Sequence, residues 1–141
     1  MKYLFTSQFI FITLLSVAQV ELLGVSVSGG GNGKGTIYKV DEAVTVTVLH
    51  SFSSSSSEGY YPTTGLTRTS SGLYYGTKQF GGNNNGGGLY QFDVTTNTYE
   101  KMADFNSSTT GKDPRTALLA TSEGNLYGTT YAGGIGPSWN T

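Results

Sequence analysis

The side chains that could do chemistry are few. His50 is the only histidine, and so the one group whose unshifted pKa would suit a general base near neutral pH. Val44, Val46, Val48, His50 and Phe52 alternate with Thr45, Thr47, Leu49 and Ser51, which reads as one face of a half-buried strand. On such a face a packed, hydrogen-bonded histidine is expected, because the run supplies no catalytic or metal-binding partner. Glycoside hydrolysis needs two facing carboxylates. Glu58, Asp104, Asp113 and Glu123 fall in loops or at variable positions, and no pair stands out. Asp41 and Asp93 end apolar runs without an Asp-x-Asp-x-Asp pattern. Turn formation is therefore expected of them rather than calcium binding.

Gly29-Gly30-Gly31-Asn32-Gly33-Lys34-Gly35-Thr36 invites comparison with a phosphate-binding loop. The spacing fails. Ser28 stands where the first glycine belongs, and Gly35 stands where Ser or Thr would hold magnesium. A strand pattern follows instead of a helix, so no helix N-terminus would meet a phosphate. The stretch reads as a plain loop. Tyr60, Tyr61, Tyr74, Tyr75, Tyr127 and Tyr131 could make a sugar-stacking surface, but packing between sheets is the expected use. Asn106-Ser107-Ser108 has the form of a glycosylation sequon. No catalytic, cofactor-binding or metal-binding residue is assigned.

The elements that would position these residues repeat every 52 positions. Tyr75-Gly76-Thr77 returns as Tyr127-Gly128-Thr129, and Pro62-x-Thr64-x-Leu66 as Pro114-x-Thr116-x-Leu118. Gly29-Gly30, Gly81-Gly82 and Gly133-Gly134 form a series, as do Tyr38 with Tyr90 and Asp41 with Asp93. Residues 29–80 laid on 81–132 without gaps give 18 identities in 52 positions. A fixed period of this size is the mark of stacked units sharing a core. Phe52 and Phe105 lie 53 apart, so one loop carries a single-residue insertion.

Each unit carries four strand patterns. In the complete copy they are 65–69, 73–80, 88–93 and 98–105, separated by Gly/Asn or Asp/Thr/Asn turns. Leu22 to Ser28 sits 52 before Tyr74 to Phe80 and reads as a worn copy of the second strand. Four strands in about 50 residues match a β-propeller blade. The fold expected is all-β, with a partial blade at 22–52, a full blade at 62–105 and a partial blade at 114–141. Two and a half blades make an incomplete propeller. Leu126-Tyr127-Gly128-Thr129-Thr130-Tyr131-Ala132-Gly133-Gly134, Gly35 to Asp41 and Val48 to Phe52 resemble the GloVer tandem repeat. That resemblance covers residues 22–134. It implies an exported bacterial protein with propeller-type repeats and lends no catalytic residue. The kelch repeat is the rival, since it too has Gly-Gly after a strand. It should add a Tyr and a Trp after the doublet, and the single tryptophan is Trp139.

Composition agrees with a β repeat: 141 residues, 21 glycines, 12% charged residues, and Tyr and Phe in plenty. Eight basic and nine acidic residues give a net charge of −1, and the basic ones are scattered, which argues against nucleic-acid binding. Without cysteine there is no disulfide and no thiolate chemistry. Lys2, the apolar stretch 9–18 and the small-x-small end Ser16-Val17-Ala18 read as a secretory signal at 1–18, cleaved before Gln19. A retained anchor and a buried first strand are the other readings. No later segment is long and apolar enough to span a membrane as a helix. The expected function is a non-catalytic, exported scaffold or interaction module, secreted or at the cell surface. It would come from a longer propeller whose further repeats close the fold, with protein or carbohydrate as partner. The alternative is part of a propeller enzyme or lectin acting on extracellular polysaccharide.

Overall fold

The computed structural model describes residues 22–55 and 57–135. The signal expected at 1–18, Trp139 and the last blade beyond residue 135 lie outside the described residues. Among the described residues eleven strands form and no helix. β1 (Leu22–Ser26), β2 (Thr36–Val40) and β3 (Val46–Ser51) make one antiparallel sheet in that order. β4 (Thr67–Arg68), β5 (Tyr74–Lys78), β6 (Gly88–Asp93) and β7 (Thr98–Asp104) make a four-stranded antiparallel sheet in sequence order. β9 (Leu119–Ala120) pairs with β10 (Leu126–Tyr127), and β8 (Lys112–Pro114) with β11 (Thr130–Ala132). The sheets are incomplete propeller-type blades. β1–β3 are the last three strands of blade 1, β4–β7 are blade 2, and β9–β10 open blade 3.

The 52-residue period holds pair by pair. Gly24 faces Tyr38 across β1–β2 as Gly76 faces Tyr90 across β5–β6. Thr67 faces Tyr75 as Leu119 faces Tyr127, so Tyr75 and Tyr127 occupy equivalent places, as the repeat predicts. The connections repeat too. Tyr61 N donates to Lys34 O, and Asp113 N to Gly86 O. Tyr60 bridges Phe80 where Lys112 bridges Ala132. Pro62 and Pro114 are both fully buried at these crossings. The Gly/Asn loops have one form: Gly35 N reaches Gly29 O, and Gly87 N reaches Gly81 O. Gly81 and Gly82 have φ of 77° and 74° there, which favours glycine. Asp41 and Asp93 accept backbone N–H bonds from Thr45 and Thr95 at 2.9 and 2.8 Å, so both shape turns.

One expectation is corrected. Val44, Val46, Val48, His50 and Phe52 do not share a face. Val44 has φ 62° in the turn before β3. Tyr38 pairs with Val48 but Ile37 with His50, so Leu49 is an extra residue in a bulge. A bulge shifts the alternation by one, turning the side chains beyond it to the opposite face. Val46 and Val48 stay outward, 61% and 52% exposed. His50 and Phe52 turn toward blade 2. The same bulge recurs in blade 2, with Met102, 53 residues after Leu49, as the extra residue between the pairs Tyr90–Lys101 and Leu89–Ala103.

The core lies between blades 1 and 2. Ile37, Phe52, Tyr90 and Phe92 are fully buried there, with Leu23, Val25, Leu66 and Tyr74 packed around them. Tyr90 lies over Gly76, where a Cβ would come 2.5 Å from Tyr90 Cζ. Gly24 and Tyr38 repeat this, with a Cβ 2.7 Å from Cζ. The strand glycine is thus the floor on which a cross-strand tyrosine lies. The 52-residue period places Gly128 at the position of Gly76. It is exposed, and only the side chain of Leu118 approaches its Cβ position, at 2.7 Å.

Candidate functional site

The bulge in β3 and the loop after it bring a polar cluster to the junction of blades 1 and 2. His50, at the end of β3, stacks on Tyr99 of β7 with ring centroids 4.3 Å apart and planes 3° apart. Its Nε2 lies 2.6 Å from Glu58 Oε1. Glu58 Oε2 accepts the Ser53 N–H at 3.0 Å and also the Ser53 hydroxyl. Tyr99 OH accepts a hydrogen bond of 2.8 Å from Lys78 Nζ. Lys78 is the last residue of β5 and is fully buried. Its stem runs over Gly88, where a Cβ would come 3.2 Å from Lys78 Cε. Across the sheet Lys78 pairs with Gly88, and Gly88 with Asp104. Asp104 Oδ2 takes a 2.8 Å ion pair from Lys101.

Burial sets the electrostatics. It pulls the Lys78 ammonium down from 10.5 to about 8; the negative charge of Asp104 opposes the drop and Lys101 adds to it. Burial likewise raises the Tyr99 phenol well above 10, helped by the nearby Glu58 and Asp104. Tyr90 is raised for the same reason, and its buried hydroxyl has no hydrogen-bond partner among the described residues. For Asp104, burial works upward, but hydrogen bonds from Lys101 and from the Asn83 backbone hold the carboxyl below its ordinary value.

A lysine near pH 8, a histidine–carboxylate pair and a serine are the raw material of a reaction centre. Their order is wrong for one. In a nucleophilic triad the histidine lies between hydroxyl and carboxylate. Here the carboxylate of Glu58 lies between Ser53 and His50, so the imidazole does not touch the hydroxyl. Lys78 is closed off from solvent. His50 and Glu58 keep 22% and 17% of their side chains exposed and form the outer end of the cluster. The arrangement ties the 53–58 loop, β3, β5 and β7 together.

The cluster also breaks the repeat. By register, Ala103 stands for His50, Ser26 and Thr130 for Lys78, Val46 for Tyr99 and Ser51 for Asp104. Sequence reading foresaw a packed, hydrogen-bonded His50 and missed its partners. Lys78, a charge where its repeat mate is Thr130, was the available signal. The tyrosines do not form one surface. Tyr60 and Tyr61 meet Phe80 with centroids 5.9 and 6.1 Å away, and Lys34 Nζ lies 4.9 Å over Tyr60. Tyr74 packs on the core, Tyr75 donates to Gln91, and Tyr131 lies 4.1 Å from the Arg115 guanidinium. Tyr127 and Tyr131 are exposed. The Gly29–Thr36 stretch is the loop between β1 and β2, and the Asn106 side chain is used within its own turn, on Ser108. Among the described residues no three His, Asp or Glu side chains gather as metal ligands.

Comparison with known proteins gives one positive result. The sequence model described as the Gloeobacter/Verrucomicrobia repeat matches residues 11–138. No curated protein and no solved structure matches the chain.

Proposed function

The chain belongs to the Gloeobacter/Verrucomicrobia repeat family, and from that premise we propose that it is a non-catalytic, exported module serving as a scaffold or interaction surface. The carrying observation is the order Ser53–Glu58–His50 beside a sealed Lys78. The reactive groups satisfy one another and brace two blades, leaving none of them poised on a substrate. Export rests on Lys2, the apolar stretch 9–18 and Ser16-Val17-Ala18. The family match begins at residue 11, inside that stretch. An intact mass of protein secreted by a bacterial host decides the point. A chain starting at Gln19 supports export with cleavage, and a cell-retained chain starting at Met1 contradicts it.

A second reading, part of a polysaccharide-acting propeller enzyme or lectin, draws on the same cluster. Residues unique to one junction of a repeat protein are where a grafted site would sit, and Tyr60, Tyr61 and Lys34 offer a stacking surface beside it. The two readings separate on Glu58→Gln. The scaffold reading expects lower thermal stability, with no binding to or cleavage of a panel of neutral and acidic polysaccharides before or after the change. Cleavage by the unaltered chain that Glu58→Gln abolishes would establish the enzyme.

A further inference from the structure

A second group of residues departs from the repeat, at the end of the strands where one blade crosses to the next. Lys34 in the β1–β2 loop, Tyr60 and Tyr61 before β4, and Phe80 after β5 come together there. Lys34 Nζ lies 4.9 Å over the Tyr60 ring and 5.5 Å over the Tyr61 ring. The two tyrosines meet each other at 4.9 Å and both meet Phe80. One period on, the same four positions hold Gly86, Lys112, Asp113 and Ala132. The backbone does not change with them. Tyr61 and Asp113 have φ of 58° and 59°, and each donates its N–H to the preceding Gly-rich loop, at Lys34 O and Gly86 O. A left-handed backbone is tolerated by aspartate and costly for a residue as bulky as tyrosine. The repeat plan does not require that cost, since Asp113 serves the same crossing without it. A bulky side chain held in a strained conformation is the kind of feature that marks a site of use.

Charge is divided between the two ends of the strands. The turns β2–β3, β6–β7 and β9–β10 carry Asp41, Glu42, Asp93 and Glu123 at one end. The end with the rings carries Lys34, Lys112 and Arg115. Its carboxylates are engaged: Glu58 with His50, Asp104 with Lys101 and Asp113 with Arg115. No ion pair among the described residues uses Lys34. We propose that Lys34, Tyr60, Tyr61 and Phe80 are a docking patch for an acidic segment of a partner protein. A carboxylate of that segment pairs with Lys34, and an aliphatic side chain beside it packs on the rings. Tyrosines clustered around one cation are the composition of an interface hot spot. Tyr61 meets Tyr60 at 85° and Phe80 at 70°, so these rings share no flat platform for a sugar to lie on. The inference rests on reading the chain as an interaction module, and it names the chemistry of the partner.

The test is fluorescence anisotropy on the full chain at low salt, with three probes: a labelled peptide of mixed Glu and Leu, the same peptide with Gln for Glu, and labelled polygalacturonate. The Glu/Leu peptide should bind about tenfold or more tighter than its Gln counterpart. Lys34→Gln removes the cation, and Tyr61→Asn removes the ring while supplying a residue that accepts the left-handed backbone. Each should weaken the Glu/Leu peptide by about tenfold. Thermal melts followed by circular dichroism should show both variants folded, with Tyr61→Asn melting no more than a few degrees below the unaltered chain. Arg68→Gln removes a positive charge beside the β4–β5 turn, at the other end of the strands, and should leave affinity unchanged. No binding of the Glu/Leu peptide, equal binding of the Gln peptide, full affinity in Tyr61→Asn, or an equal loss in Arg68→Gln would overturn the proposal and leave the scaffold reading standing. Polygalacturonate bound through Lys34 would overturn the proposal and the scaffold reading together, because the patch would then serve a saccharide.

Discussion

Gly76 shows how one residue can carry the repeat. A glycine inside a strand costs roughly 0.5–1 kcal/mol, and the floor beneath Tyr90 explains why it is kept. Gly76→Val drives a branched side chain into that ring, which is itself fully buried in the core. A loss of about 3 kcal/mol is expected from such overpacking. Asn84→Ala, in the exposed Gly/Asn loop, should stay within about 0.5 kcal/mol. Chemical denaturation of the two variants checks this, and equal tolerance would remove the packing account. Lys78 gives a pH signature. Its folded pKa of about 8 lies below its ordinary 10.5. Between these values the unfolded chain holds a proton that the folded chain has released, so stability rises with pH across that window. Tyr99 and Tyr90 act oppositely. Their folded pKa values lie above 10, so stability falls once pH passes 10. Denaturation midpoints should pass through a maximum near pH 9–10, and Lys78→Met should remove the rise while keeping the fall. A flat profile from pH 8 to 10 in the unaltered chain would contradict the burial of this charge.

Among the elements, β6 is the best supported, paired on both sides and alternately buried along its length. β9 and β10 are two-residue strands with little cover. Local opening follows buried contacts. Amides of Tyr74–Lys78 and Gly88–Asp93 should exchange at least about a hundredfold more slowly than those of Leu119–Ala120 and Leu126–Tyr127. Similar rates in both sets would be evidence against a complete blade 2 beside an open blade 3. The strands with clean alternation and Gly or Asn punctuation were readable from sequence, which is why 62–105 appeared as four strands. The bulges were not, because nothing in the type of Leu49 or Met102 marks it as the extra residue. The faces of His50 and Val48 could not be assigned without them. The β8–β11 pair escaped notice because Lys112–Pro114 is short, lacks alternation and ends on a proline. The His50–Glu58 contact escaped because a serine loop separates the partners by eight residues and only its conformation joins them.

At the scale of the whole molecule both blades carry a tyrosine laid on a strand glycine, and in blade 2 that tyrosine also packs against the blade before. The period was visible in the sequence, as was the all-β character it implies. The exposure of Gly128 was not, since Gly128 repeats Gly76 in type and spacing while their surroundings differ. The non-repeating cluster around Lys78 is laid over this plan at one junction, where its Tyr99 also meets the core rings of Phe52 and Tyr90. The plan is tested most directly by aromatic-to-backbone nuclear Overhauser contacts in solution. The Tyr90 ring should show them to the Gly76 α-protons and to the Phe52 ring, and the Tyr38 ring to the Gly24 α-protons. A Tyr90 ring in contact with neither Gly76 nor Phe52, while the chain remains folded, would contradict the stacked-blade account.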